Sequence, residues 1–202
     1  MRPTQALLHL MAGNERFRTG QSAHCGTAPS RRVATARGQA PVAAVVGCAD
    51  SRVAPEAVFD SGLGEIFAIR VDGNTVSGRM VLGSLEYAIE QLDVPVVMVL
   101  GHRGCGAVGA ACAHRRDGQA LDGQLRAVVD LVLDGMADLP ADVDVDEAAT
   151  ANVAHQVELL LADPGPVGTA ARAGRVRVVG ALYDLTTGEV ELTTNPFAAL
   201  LS

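Results

Sequence analysis

Two short segments of this chain bring together residue types that do chemistry. They are Cys48-Ala49-Asp50-Ser51-Arg52 and His102-Arg103-Gly104-Cys105. Each closes an apolar run that reads as a buried strand: Pro41-Val42-Ala43-Ala44-Val45-Val46 before the first, residues 94–100 before the second. In an open α/β sheet, ligands gather beyond the carboxyl ends of parallel strands, so two such ends can meet at one site despite their distance in sequence. A thiolate–imidazole–thiolate set from Cys48, His102 and Cys105 suits Zn²⁺, and three protein ligands leave a fourth position for water, as in catalytic zinc sites. Asp50 and Arg52 add a carboxylate and a guanidinium beside such a metal, a natural supporting pair. Taken alone, a strand-end cysteine reads more simply as a small buried hydrophobe. Placement of both segments after strands is what turns the reading toward metal.

The remaining cysteines and histidines read blandly. Cys25 lies in a small-residue arm and Cys112 among alanines in a helical pattern, so neither is taken as a ligand. Four cysteines in 202 residues are too sparse for a secreted disulfide scaffold and read as reduced thiols. His114, followed by Arg115 and Arg116, suits a solvated helix end, and His155 falls on a helix where a satisfied or exposed imidazole is the default. His9 and His24 carry no pattern that would mark either as a proton carrier.

The composition narrows the classes of function. Lys and Arg total 16 against 23 acids, a net charge of −7, which opposes a nucleic-acid surface. With no Trp, two Tyr and four Phe, the chain also lacks stacking platforms for bases. The longest clean apolar stretch, residues 94–100, contains Pro95 and is too short to span a bilayer. No charged-then-apolar segment opens the sequence, so a cytoplasmic protein without membrane contact is expected.

The elements that must position the two segments follow from hydrophobic periodicity. Residues 5–17 carry Leu7, Leu8, Leu10, Met11 and Phe17 near helical spacing, and residues 20–39 read as an arm or loop. Strands are expected over 41–46, 65–71 and 94–100, with a helix over 79–92 that stacks Val81, Leu85, Ala88, Ile89 and Leu92 on one stripe. Helices are expected at 106–114, 119–136 and 147–161. An alternating strand over 175–185 then turns through Thr186-Thr187-Gly188 into an edge hairpin. The expected fold is one α/β domain over 1–202: an N-terminal helix and arm (1–39), then a core (40–202) with a mainly parallel sheet flanked by helices.

The motifs also resemble those of a known family. Strand-Cys-x-Asp-Ser-Arg and strand-His-x-x-Cys are similar to the two zinc-binding motifs of the β-carbonic anhydrases, in particular their plant-like branch. The likeness runs through Val53-Ala54-Pro55-Glu56, Phe59-Asp60, Gly62-Leu63-Gly64-Glu65, Arg70-Val71-Asp72-Gly73-Asn74 and Gly83-Ser84-Leu85-Glu86-Tyr87-Ala88. It continues over Gly101 to Val108 and Gly180 to Gly188.

What the resemblance implies is reversible hydration of CO₂ to bicarbonate and a proton by zinc-bound hydroxide, with one Zn²⁺ per chain on Cys48, His102 and Cys105. Asp50, paired with Arg52, would orient that hydroxide, or occupy the fourth position in a closed state. Gln39, Phe67 and Tyr87 match the branch's substrate pocket. Two thiolate ligands donate more charge than imidazoles, so an alkaline-favouring enzyme is expected. The family further implies a homodimer or homotetramer, with pocket residues crossing to a neighbour's zinc. One departure is the lack of any Trp, which argues against a tryptophan-containing inhibitory bicarbonate site; another is Asp72, where a small residue is usual. The same site could instead hydrolyse carbonyl sulfide or carbon disulfide. A thiol redox protein using Cys48 and Cys105 lacks a Cys-x-x-Cys motif, and a purely structural zinc protein has no use for Asp50 and Arg52.

Overall fold

The computed structural model describes residues 1–22 and 25–193. Its elements run α1 (Pro3–Arg18), α2 (Pro29–Thr35), β1 (Ala43–Gly47), α3 (Pro55–Val58), β2 (Ile66–Arg70) and α4 (Arg79–Leu92). They continue with β3 (Val96–His102), α5 (Gly106–Asp117), α6 (Leu125–Asp134), α7 (Val145–Ala162), α8 (Pro166–Arg172), β4 (Arg177–Tyr183) and β5 (Val190–Leu192). Among the described residues five strands form one sheet in the order β2-β1-β3-β4-β5, parallel except for the antiparallel β4–β5 pair.

Every residue of β1 and β3 is buried, as expected of strands covered on both faces. The alternation of a strand sorts them: Val45, Val96, Met98 and Leu100 pack with Ala6, Leu7 and Leu10 of α1, whereas Ala44, Val46, Val97 and Val99 face the α4, α5, α7 and α8 side. Asn14 clamps α1 down by donating to the Val58 and Gly188 carbonyls and accepting from the Val190 amide. Helix α7 lies directly on the sheet: a Cβ at Gly101 would stand 2.4 Å from a Val153 methyl, so only glycine admits this approach.

The chain leaves β1 to one side for β2, then returns to its other side for β3. The order reverses between β1 and β3, where ligand crevices open in such sheets. Several expectations shift. The arm over 20–39 contains α2, introduced by Pro29 at its first turn. The helix expected over 119–136 starts only at Leu125, because Gly118 and Gly123 adopt positive φ (66° and 63°) and break the pattern. The short helices α3 and α8, each opened by proline, were too brief for periodicity to reveal. The edge hairpin forms, with Asp184 accepting from the Thr186 and Thr187 amides.

Candidate metal centre

The carboxyl ends of β1 and β3 deliver the two motifs to one place. Cys48 follows β1 directly, His102 is the last residue of β3, and Cys105 caps the start of α5. Their ligand atoms all lie within 4.8 Å of one another, and the three residues are buried to 3%, 0% and 2% exposure. The two sulfurs stand 4.0 Å apart. Two Zn–S bonds of about 2.3 Å at a tetrahedral angle place sulfurs about 3.8 Å apart, so the pair is set for such an ion.

The imidazole supplies the sharper test of fit. Its Nδ1 lies 3.0 Å from the Arg103 carbonyl oxygen, which only accepts, so Nδ1 carries the proton and Nε2 a lone pair. That Nε2 is buried without any hydrogen-bond partner. An orphaned acceptor at a fully buried position is costly, and here it faces two sulfurs. A metal satisfies all three groups at once; a disulfide between Cys48 and Cys105 leaves the imidazole unsatisfied.

Electrostatics agree. The two thiols share one proton between their sulfurs, which pulls Cys48 down to about 4 against the cost of burial, with His102 and the Asp50 and Gly73 amides adding to the effect. Holding that proton beside a thiolate in turn pushes Cys105 up. Burial opposes protonation of His102, but the adjacent Cys48 thiolate, with the Arg103 carbonyl and the Asp50 carboxylate, outweighs burial and raises it.

Asp50 stands at the rim. Arg52 grips both of its oxygens, Nε to Oδ1 at 2.9 Å and Nη2 to Oδ2 at 2.6 Å, and the Arg52 amide adds a third bond at 2.9 Å. This fork holds the Asp50 carboxyl well below the usual carboxylate range. Asp50 Oδ2 reaches within 3.9 Å of His102 Nε2, so it borders the ligand set while staying bound to Arg52.

Phe67 and Tyr87 sit together, their ring centroids 6.1 Å apart, but on the outer face formed by β2 and α4. Phe67 pairs with Ala44, three register positions before Gly47, and so about 10 Å down the strand from the metal end. Gln39 is exposed beside Gly64 and precedes β1, at the opposite end of a strand about 16 Å long. Within one chain, Gln39 therefore does not reach the metal centre. Asp72 is exposed, Cys112 is buried in the core, and the Cys25 side chain and His24 lie outside the described residues.

Several supporting residues escaped the sequence reading. Arg70 straps the first motif by donating to the carbonyls of Cys48, Ala49 and Asp50. Asp146 accepts from the Gly104 amide at 2.8 Å and pairs with Arg103, fixing the turn between His102 and Cys105. Asn152 and Gln156 hold the turn after β2. A signal for the last pair was available: two amides spaced i,i+4 on the same α7 stripe as Ala148, Val153 and Leu160.

Comparison with known proteins supplies relatives. A family model described as carbonic anhydrase matches residues 43–190. Carbonic anhydrase 2 of Mycobacterium tuberculosis is 39% identical over 198 residues, covering 94% of this chain and 92% of its own. The carbonic anhydrase of Mycolicibacterium smegmatis is 37% identical over 198 residues, covering 96% and 94%. Among solved structures, the Coccomyxa β-carbonic anhydrase in complex with acetazolamide is 29% identical with a TM-score of 0.71, covering 92% of this chain and 85% of that one. One of two tetrameric β-carbonic anhydrases from Sordaria macrospora shares the fold at a TM-score of 0.72 and 23% identity, covering 92% and 96%.

Proposed function

We infer the function from the premise that this chain belongs to the β-carbonic anhydrase family, whose reaction is the reversible hydration of carbon dioxide to bicarbonate and a proton. The observation that carries the reading to residues is the buried convergence of Cys48, His102 and Cys105, with His102 Nε2 otherwise unpartnered. These three would hold one Zn²⁺ per chain. Bound there, zinc would supply the Lewis acidity that lowers the pKa of a water far below its free value.

The chain's own groups do the rest. Asp50 accepts the hydrogen of the attacking water and turns its lone pair toward the carbon of CO₂. Arg52 occupies both Asp50 oxygens, which keeps Asp50 ionised and held beside the ligand set. The Arg103 carbonyl fixes the His102 tautomer, and Asp146 fixes the turn that carries it.

Gln39, Phe67 and Tyr87 act as the substrate wall of the plant-like branch, with Gln39 and Phe67 serving the zinc of a neighbouring subunit in a homodimer or homotetramer. Their place on the outer face supports this, as do Met80 at 83% and Tyr87 at 50% exposure beside them. No described helix is long and apolar enough to cross a membrane. The free Cys48, Cys105 and Cys112 fit a reducing compartment such as the cytoplasm.

Stopped-flow CO₂ hydration at two pH values, on protein with its zinc quantified and beside Cys48→Ala, tests the assignment. Zinc near one per chain with fast turnover, both lost in the variant, is the expected result. Bound zinc without hydration moves the activity to carbonyl sulfide or carbon disulfide. Freshly reduced protein without zinc overturns the reading.

A further inference from the structure

We propose that Asn152 and Gln156 of α7 are positioning residues for the metal centre, acting through the turn Asp72–Asn74 on Cys48. This inference rests on the zinc reading above. Both amides are fully buried, in the middle of an apolar cluster. They form one directed chain: the Val76 amide donates to Gln156 Oε1 (2.9 Å), Gln156 Nε2 donates to Asn152 Oδ1 (3.1 Å), and Asn152 Nδ2 donates to the Gly73 carbonyl (2.9 Å). A backbone N–H at one end and a backbone C=O at the other fix which way each amide points, so neither can flip without leaving buried groups facing like groups.

Apolar replacement of either amide would leave the buried Gly73 carbonyl or Val76 N–H without a partner, so the network contributes stability as well as position and the two must be read separately. Beyond stability, the network delivers location. It grips the chain at Gly73 and again at Val76, either side of Asn74 and Thr75. The turn so held packs against β1, β3, α5 and α6, between the two ligand-bearing segments. Register passes from it to the cysteine through two backbone bonds, Val71 N–H to the Gly47 carbonyl (3.0 Å) and Ala49 N–H to the Val71 carbonyl (3.2 Å), which bracket Cys48. Gly73 itself has φ of 66°, and a Cβ there would lie 2.9 Å from a Val132 methyl and 3.4 Å from the Ala107 Cβ. The turn is therefore wedged under α5 and α6 with no room to re-seat. The Gly73 amide is also among the groups that favour the Cys48 thiolate.

The test compares Asn152→Ala and Gln156→Leu with Leu160→Ala, which opens a cavity on the same helix outside the network. Zinc affinity is read by chelator competition, geometry by the thiolate charge-transfer band of the Co²⁺-loaded protein, and stability by thermal melting. The network variants should bind zinc about 10–100-fold more weakly and shift the cobalt band. Leu160→Ala should melt lower yet keep the wild-type affinity and spectrum. Should truncation prevent folding, the nearly isosteric Asn152→Asp, which sets an oxygen against the Gly73 carbonyl, reports the same two quantities. Network variants that melt lower but bind zinc and cobalt as the wild type does overturn the positioning role alone. Wild-type protein that binds no zinc overturns the functional reading beneath it as well.

Discussion

The carboxyl edge of β1 and β3 and the outer face of β2 and α4 were both marked as functional, yet they are built to different degrees. At the carboxyl edge, Cys48, His102 and Cys105 are buried and each neighbouring side chain has a partner in the same chain: Arg52 on Asp50, Arg70 on the Cys48 loop, Asp146 on the Gly104 turn. On the outer face, Phe67 is half-buried, Tyr87 half-exposed and Met80 open to solvent, and Gln39, ahead of β1, is exposed as well. A metal centre can be completed by strand topology alone, because two strand ends bring its ligands together. The proposed substrate wall would need surface on more than one side, and a single chain provides one side. An exposed apolar patch of this kind commonly marks an interaction surface.

The largest effect should come from breaking the complete region. Cys48→Ala or His102→Ala removes one of the three proposed ligands, so zinc content should fall to near zero and CO₂ hydration to the uncatalysed rate. Metal analysis and stopped-flow on the same sample check this, and either variant retaining full turnover would refute the ligand set. Next in size is Asp50→Asn, nearly isosteric but unable to accept as a carboxylate does. Hydration should fall about 10²–10³-fold with zinc still near one per chain. Loss of zinc along with activity would make Asp50 a ligand instead of an orienting group.

How much of each region was legible follows the same division. The convergence of Cys48, His102 and Cys105, with Asp50 and Arg52 beside it, could be read because each motif sits at the end of a buried, glycine-bounded strand, and strand ends are what sequence patterns locate well. Helix α4 was read to its bounds since its apolar stripe repeats cleanly from Val81 to Ile89. Contacts between distant segments were not legible. Nothing in the spacing of Asn152, Gln156 or Asp146 tells that their polar atoms meet backbone groups of Gly73, Val76 and Gly104. Gln39, Phe67 and Tyr87 were marked through resemblance, and sequence alone gives no account of which subunit's site they serve.

A smaller effect would sharpen the comparison at the outer face. Met80→Glu places a charge on α4 where the side chain is 83% exposed, so the single chain loses no packing. If this face is an interface, sedimentation should show a shift toward monomer, with kcat/KM lowered about tenfold or more through loss of pocket alignment. Zinc should stay near one per chain, since the carboxyl edge is complete without a partner. A monomer with unchanged kcat/KM would show that the wall from one chain suffices.

The smallest effect belongs to Cys112, which shares its residue type with two proposed ligands and lies buried in α5 at 3% exposure. Burial, against the pull of Arg116 and Arg115, pushes its thiol above the ordinary range, the opposite direction from Cys48. A raised thiol stays protonated at pH 8, so alkylation of the folded protein there should spare Cys112 and accelerate only at higher pH. Cys112→Ala should cost about 1 kcal/mol for the lost packing and leave zinc content and turnover unchanged. Zinc loss in that variant would mean that thiol identity, and not placement at the strand ends, decides which cysteines bind metal.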